Sequence, residues 1–180
     1  MPVDINFMVG SEAGHGVQSV GFILAKAFAR GGFHVFADQD YESRIRGGHN
    51  FFLVRVKDSQ VAAIREPVDI LLALKKESID LHWEKITASG VITFDGEKID
   101  NIDGNDNLFS VPLERLTEES TGGKLTTNTV SLGTASGLVG YDFEILAEVL
   151  QEQFGSGEIG QNNVNAARAG YEYTRQNFKG

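Results

Sequence analysis

The chain has 180 residues, 41% hydrophobic and 23% charged, with a formal net charge of −9, the proportions of a single globular domain with a sizeable core. It contains no cysteine, which excludes a disulfide framework, a thiolate zinc site, a cysteine nucleophile and any iron–sulfur cluster held by this stretch. An acidic balance counts against general nucleic-acid binding, and no apolar run approaches the ~20 residues of a membrane helix, so the expectation is a cytoplasmic protein with no nucleic-acid or membrane partner.

Residues 3–9 are rich in β-branched and aromatic side chains and read as a buried strand. Residues 10–16 form a glycine-rich turn. Val17, Val20, Ile23, Leu24, Ala27 and Phe28 then fall on one helical face, and Gly31-Gly32 stops that helix. Residues 33–37 read as a second strand. Strand, glycine turn, helix and strand in under forty residues make a βαβ unit, which implies parallel strands and a right-handed crossover.

Residues 51–56 (Phe-Phe-Leu-Val-Arg-Val) are another strand, and Pro67 breaks the chain. A short strand over 68–74, a helix over 75–85 and a strand over 90–94 follow, closed by the turn pair Asp95-Gly96. Trp83, near the end of that helix, is expected in the core. Residues 95–107 are polar and loop-like, 108–111 a short strand, and Pro112 opens a short helix ended by Gly122-Gly123. The remainder is helical, over 128–139, 141–154 and 164–178, with a break at Gly155-Ser156-Gly157. The expected fold is α/β: a three-layer, Rossmann-like, mostly parallel sheet with a helical C-terminal third, in one domain over residues 1–180.

Two segments stand out chemically. The turn Gly10-Ser11-Glu12-Ala13-Gly14-His15-Gly16-Val17 joins a strand to a helix N-terminus, where free N–H groups and the dipole suit phosphate. It is not a P-loop, since no Lys-Ser/Thr pair follows the glycines. A dinucleotide fingerprint is incomplete: Ser19 stands where the third glycine belongs, although Asp38 ends the second strand as a ribose-binding acid does. The second segment runs Asp38-Gln39-Asp40-Tyr41-Glu42-Ser43-Arg44-Ile45-Arg46-Gly47-Gly48-His49-Asn50 at the carboxyl edge of the sheet. Arg44 and Arg46 offer planar anion-binding forks beside flexible backbone, and His49 and Asn50 add donors.

Charge is uneven along the chain. Residues 26–57 carry six bases (Lys26, Arg30, Arg44, Arg46, Arg55, Lys57) against three acids, a basic stretch suited to an anionic ligand or an acidic partner. The four histidines, His15, His34, His49 and His82, show no metal-ligand spacing. His34 is expected to be structural. No Gly-x-Ser-x-Gly elbow is present, so hydrolysis by a Ser/His/Asp triad is unsupported.

The glycine turn with Ile23-Leu24-Ala25-Lys26-Ala27, then Asp40-Tyr41-Glu42-Ser43-Arg44-Ile45-Arg46-Gly47-Gly48-His49-Asn50-Phe51-Phe52, together resemble the gamma module of the 2-oxoacid:ferredoxin oxidoreductases. The nearest version is the N-terminal domain of the 2-oxoglutarate-type alpha subunit. Further matches are Asp69-Ile70-Leu71-Leu72-Ala73-Leu74, Asn128, Leu132-Gly133, Asn163, Ala166-Ala167 and Gly170-Tyr171. The resemblance spans essentially the whole chain. It implies a part in the oxidative decarboxylation of a 2-oxoacid, with coenzyme A accepting the acyl group and ferredoxin the electrons. It also implies thiamine diphosphate and iron–sulfur clusters on partner domains or chains: a thiamine-diphosphate-binding domain or subunit, and an iron–sulfur or beta subunit. The module is then accessory and without catalytic residues of its own. Coenzyme A is a candidate ligand of Gly14, His15, Gly16, Val17, Arg44, Arg46, Gly47, Gly48, His49 and Asn50. One departure is plain: the family's turn carries Gly-Gly-Gln-Gly, and here it reads Ala13-Gly14-His15-Gly16. Two other readings stay open, a stand-alone dinucleotide-binding protein and a partner-binding module with no small-molecule ligand.

Overall fold

The computed structural model describes residues 2–41, 48–102 and 107–179. Its elements run β1 (Asp4–Glu12), α1 (Val17–Arg30), β2 (His34–Tyr41), β3 (His49–Lys57), β4 (Val68–Ala73), α2 (Lys76–His82) with a 3-10 turn at Trp83–Lys85, β5 (Ile86–Phe94), β6 (Leu108–Ser110), α3 (Leu113–Thr121), α4 (Thr127–Leu138), α5 (Phe143–Phe154) and α6 (Glu158–Asn177). Each predicted element forms. Among the described residues no helix is long and apolar enough to cross a membrane.

The sheet order is β2-β3-β1-β4-β5-β6. β1, β4, β5 and β6 form parallel ladders, whereas β3 is antiparallel to both β1 and β2. Five of the six strands therefore share one direction, as expected of a mostly parallel sheet. β1 and β2 run parallel, as the βαβ reading implies, and β3 inserts between them, so those two strands do not pair. The burial patterns carry the difference. β1 is buried continuously from Asn6 to Ser11, the mark of a central strand covered on both faces. β3 alternates instead, with Phe52, Val54 and Val56 buried and Phe51, Leu53, Arg55 and Lys57 only half-buried.

One face of the sheet carries the main core. Phe7, Val9, Val54, Ile70 and Leu72 pack there against Val20, Leu24 and Phe28 of α1, Leu132 of α4 and Leu146 and Leu150 of α5. Each such side chain contributes roughly 1.5–3 kcal/mol through burial. The opposite face has a smaller cluster, with Ile79 of α2 packing on Met8, Leu71, Ile92 and Phe94. Trp83 does not join it and is 41% exposed. The 3-10 turn that follows α2 changes the angular step between residues, so the apolar face of α2 does not extend to Trp83.

The end of α1 is fixed from a distance. The Tyr141 hydroxyl, buried between Phe28 and Phe33, donates to the Ala27 carbonyl at 2.6 Å. That carbonyl also accepts from Gly31 N at 3.0 Å. Tyr141→Phe removes one of two bonds to the oxygen, and the expected loss is about 1 kcal/mol, read by urea denaturation at pH 8. Burial, with Asp142 nearby, pushes the phenol from 10.0 up to about 12. The fold favours the neutral phenol, so its contribution is complete below pH 10 and is lost as pH rises from about 10 to about 12. The gap between wild type and Tyr141→Phe should narrow across that window.

Candidate functional site at the glycine turn

β1 leaves the sheet after Glu12 and turns back within four residues. Ala13 N donates to Gly48 O at 3.0 Å and His15 N to Glu12 O at 3.2 Å. Gly14 and Gly16 sit at φ 87° and 79°, where a side chain is strained. Gly16 is the N-cap of α1, which has no capping side chain and no acidic residue in its first turn. The N–H groups at the start of α1 and the positive dipole end therefore face the turn with no carboxylate in the helix's own first turn. The turn is clamped from across the fold, because Asn128 Nδ2 at the start of α4 donates to the His15 carbonyl at 2.7 Å. The His15 ring is half exposed, with Nε2 3.2 Å from Glu12 Oε2. A Cβ on Gly16 would lie 2.8 Å from Asn128 Nδ2. Gly16→Ala thus combines left-handed strain with displacement of the clamp, and the expected loss is about 1–2 kcal/mol, checked by thermal unfolding.

A cavity of about 410 Å³ opens beside this helix start, between α1, the α3–α4 connection and α6. Gly16, Ser19, Thr126, Asn128, Asn162 and Asn163 are among its polar lining, apolar side chains such as Val20, Ile23 and Leu132 supply the rest, and among the described residues none that lines it is charged. Asn163 is already committed, accepting from Thr129 Oγ1 at 2.7 Å and donating to Ile159 O at 2.9 Å. The arrangement presents backbone donors to an anion at one end and neutral amides and hydroxyls to an uncharged chain at the other.

The remaining sequence-predicted residues distribute differently. Arg44, Arg46 and Gly47 lie outside the described residues. Gly48 is fixed to the turn through the Ala13 bond. Val17 is buried in the core, so only its backbone can face a ligand. His49 and Asn50 pair with Glu12 and Ser11 at the end of the β1–β3 ladder and are almost wholly buried. His49 lies on the face away from α1, with its Nε2 2.8 Å from His82 Nε2 and its ring against Phe51. Burial, then the neighbouring His49 and Lys85, hold His82 down at about 4, so it is neutral at pH 7. Ser78 is buried beside this pair, and Gly10 is glycine because a Cβ there would sit 2.8 Å from Ser78 Oγ. Sequence reasoning did not find Ser78 or His82; neither stands in a motif, and only the fold of α2 over β1 brings them to the strand end.

The basic stretch is not one patch. Lys26 and Arg30 pair with Glu152 at 2.9 and 2.6 Å, and Arg55 and Lys57 reach Asp4 at 2.9 and 3.8 Å. Glu152 is held down to about 2, first by Arg30 and then by Lys26. Asp38 does not approach the glycine turn: it lies level with Leu53, which lies level with Met8, two strand spacings or roughly 10 Å from β1. Its carboxylate accepts from Gln39 N at 2.8 Å. The geometry of a dinucleotide site, with the second strand beside the first, is not formed. Among the described residues no group of three or more potential ligands is placed to hold a metal ion.

The family profile described as pyruvate ferredoxin/flavodoxin oxidoreductase matches residues 6–173. Among curated relatives, the chain is 24% identical to 2-oxoacid:ferredoxin oxidoreductase 2, subunit alpha, of Aeropyrum pernix, over 98% of this chain and 34% of that protein. It is 26% identical to the 2-oxoglutarate synthase subunit KorC of Archaeoglobus fulgidus, over 98% of this chain and 91% of the relative. The chain thus spans about a third of the alpha subunit and nearly all of KorC. Among solved structures, a 2-oxoglutarate:ferredoxin oxidoreductase from Magnetococcus marinus, with 2-oxoglutarate, coenzyme A and succinyl-CoA bound, superposes with a TM-score of 0.88 at 24% identity, over 98% of this chain and 32% of that one. The gamma subunit of a keto/oxoacid ferredoxin oxidoreductase from Geobacter sulfurreducens gives 0.82 at 22% identity, over 96% and 97% of the two chains. These likenesses show a shared α/β fold, and the profile, matching nearly the whole chain, places it: the protein belongs to the pyruvate ferredoxin/flavodoxin oxidoreductase family.

Proposed function

We propose that the chain is an accessory, gamma-type subunit or domain of a 2-oxoacid:ferredoxin oxidoreductase, and that its glycine turn helps bind coenzyme A. The family match over residues 6–173 supports the first part. The single observation that carries the second is the start of α1, with no capping side chain and no acidic residue in its first turn, beside a cavity whose lining among the described residues mixes apolar side chains with amides and hydroxyls and carries no charge. Coenzyme A has that polarity: phosphates at one end, a neutral amide-bearing arm at the other. Residues Gly14, Gly16 and the backbone of Val17 would take phosphate oxygens, and Asn128 and Asn162 are placed toward the arm. When bound, coenzyme A supplies the thiol that accepts the acyl group. This stretch has no cysteine, so the iron–sulfur clusters that pass electrons to ferredoxin are assigned to a partner domain or chain, as is thiamine diphosphate. Relatives of the chain carry the names of different 2-oxoacids, 2-oxoglutarate and ketoisovalerate among them, so the acid is to be found by assay.

The test is reconstitution. The chain is expressed with the thiamine-diphosphate and cysteine-rich chains of its own source, and ferredoxin reduction is followed with pyruvate, 2-oxoglutarate or 2-oxoisovalerate, with and without coenzyme A. The expected result is coenzyme A-dependent reduction by one of the acids, lost when this chain is omitted. Full activity without it overturns the accessory role. An unchanged KM for coenzyme A in Gly16→Ala removes the turn from the coenzyme A site and leaves assembly as its function.

A further inference from the structure

A second cavity, about 1030 Å³, lies on the opposite face of the sheet. α2 covers β1, β4 and β5 on that side and reaches β3 only at its end, where His82 lies against the Phe51 ring. Among the described residues no helix lies over the β3–β2 half. Phe51 and Leu53 form the floor with Met8 and remain half-buried. Sheets of mostly parallel strands are normally covered on both faces, so a stretch of uncovered floor within one needs an occupant.

The walls are preformed. Asn6, fully buried in β1, donates to the Arg65 and Pro67 carbonyls at 2.7 and 2.9 Å. Arg55 binds the Ala63 carbonyl at 3.0 Å, and Arg65 is paired with Asp69. The segment before β4 is thereby fixed as one wall, and the 3-10 turn after α2 is the other. The lining carries four carboxylates, Asp38, Asp40, Glu66 and Glu84, against Arg65 and Lys85. Arg65 is neutralised by Asp69, and among the described residues Asp38, Glu66 and Glu84 outnumber Lys85, so the lining is acidic without counting Asp40. Lys85 Nζ stands 5.6 Å over the Phe51 ring, so the apolar floor already accepts a cation on its aromatic face.

We propose that this trough docks a segment of a partner polypeptide that presents apolar side chains flanked by lysine or arginine. The acidic rim selects a basic occupant and disfavours a second copy of this chain, which carries the same acidic face and a net charge of −9. Asp38 and Asp40, on the outermost strand, oppose pairing along the sheet edge, so the occupant lies across the face. The proposal goes beyond the coenzyme A reading and involves the other side of the sheet.

The absence of cysteine allows a single probe. Ala88→Cys, exposed on the trough wall, carries a benzophenone-maleimide in the complex assembled from the thiamine-diphosphate and cysteine-rich chains. The expected cross-link is to one peptide of a partner chain with lysine or arginine within about one helical turn of the apolar attachment point. Asp38→Lys/Glu84→Lys should weaken association at least ~10-fold, and wild-type association should weaken as salt rises from about 50 to about 300 mM. The melting temperature of the isolated variant should be unchanged. Cross-links confined to this chain or to an acidic peptide, or normal assembly of the charge-reversed variant, overturn the trough proposal and leave the accessory reading intact. Failure of the wild-type chains to assemble overturns both. A dimer of the isolated chain that the charge reversal abolishes makes the occupant a second copy and overturns the proposal as stated.

Discussion

Gly133→Ala lowers the unfolding free energy by about 3 kcal/mol, a large fraction of the ~5–15 kcal/mol that holds a domain together. Gly133 lies in α4, buried against α6. A Cβ there would overlap the Ala167 carbonyl oxygen, 2.6 Å from its carbon and 2.9 Å from Tyr171 N. These are backbone atoms of a 20-residue helix, so no rotamer change makes room and the two helices must separate. Gly170 makes the reciprocal approach from α6, its Cβ position overlapping the Val130 carbonyl oxygen. Separation opens the seam formed by Val130, Ala166 and Ala167, whose side chains are fully buried. Gly123→Ala is the control, since nothing lies within 4 Å of a Cβ there. Guanidinium denaturation should show a loss for Gly133→Ala and no loss for Gly123→Ala. Equal stability of the two variants would mean that α4 and α6 are farther apart than described.

Acidification from pH 7 to pH 5 should cost about 2 kcal/mol through His82 alone. His82 is 4% exposed, and its Nε2 shares a 2.8 Å hydrogen bond with His49 Nε2, which needs one donor and one acceptor. Burial first, then His49 and Lys85, lower its pKa from 6.5 to about 4. The fold therefore favours neutral imidazole. That contribution is complete above pH 6.5 and is lost as pH falls toward 4, because the unfolded chain takes up the proton first. Carboxylates elsewhere also titrate at the acid end, so the quantity to read is the difference between wild type and His82→Gln. The difference should shrink between pH 7 and pH 5. If it stays constant, His82 takes up its proton as readily in the native state as in the unfolded chain, and the pair is arranged otherwise.

What was legible in the sequence follows from how local each signal is. α1 begins at Val17 and buries the predicted stripe because glycines, cap and periodicity are all contained within twenty residues. The insertion of β3 between β1 and β2 was not legible, since hydrophobic pattern fixes which face a strand buries and leaves open which strand it borders. α6 starts at Glu158, six residues before the apolar pattern suggested. Its first turns pack through Gly160 and the hydrogen-bonded Asn163 rather than through branched apolar side chains. At the site, the turn itself was readable, and Asn128 was flagged by resemblance alone. Its role as the clamp on His15 depends on a contact across 113 positions. The matches at Gly133, Ala166-Ala167 and Gly170 mark the close-packed α4–α6 seam.

The most direct measurement is affinity capture of the tagged chain from its native cell extract, with co-purifying proteins identified and counted by mass spectrometry. A thiamine-diphosphate chain and a cysteine-rich chain in fixed stoichiometry, yielding a complex that reduces ferredoxin with a 2-oxoacid and coenzyme A, is the predicted result. Recovery of the chain alone, with tight binding of a dinucleotide, would contradict the account.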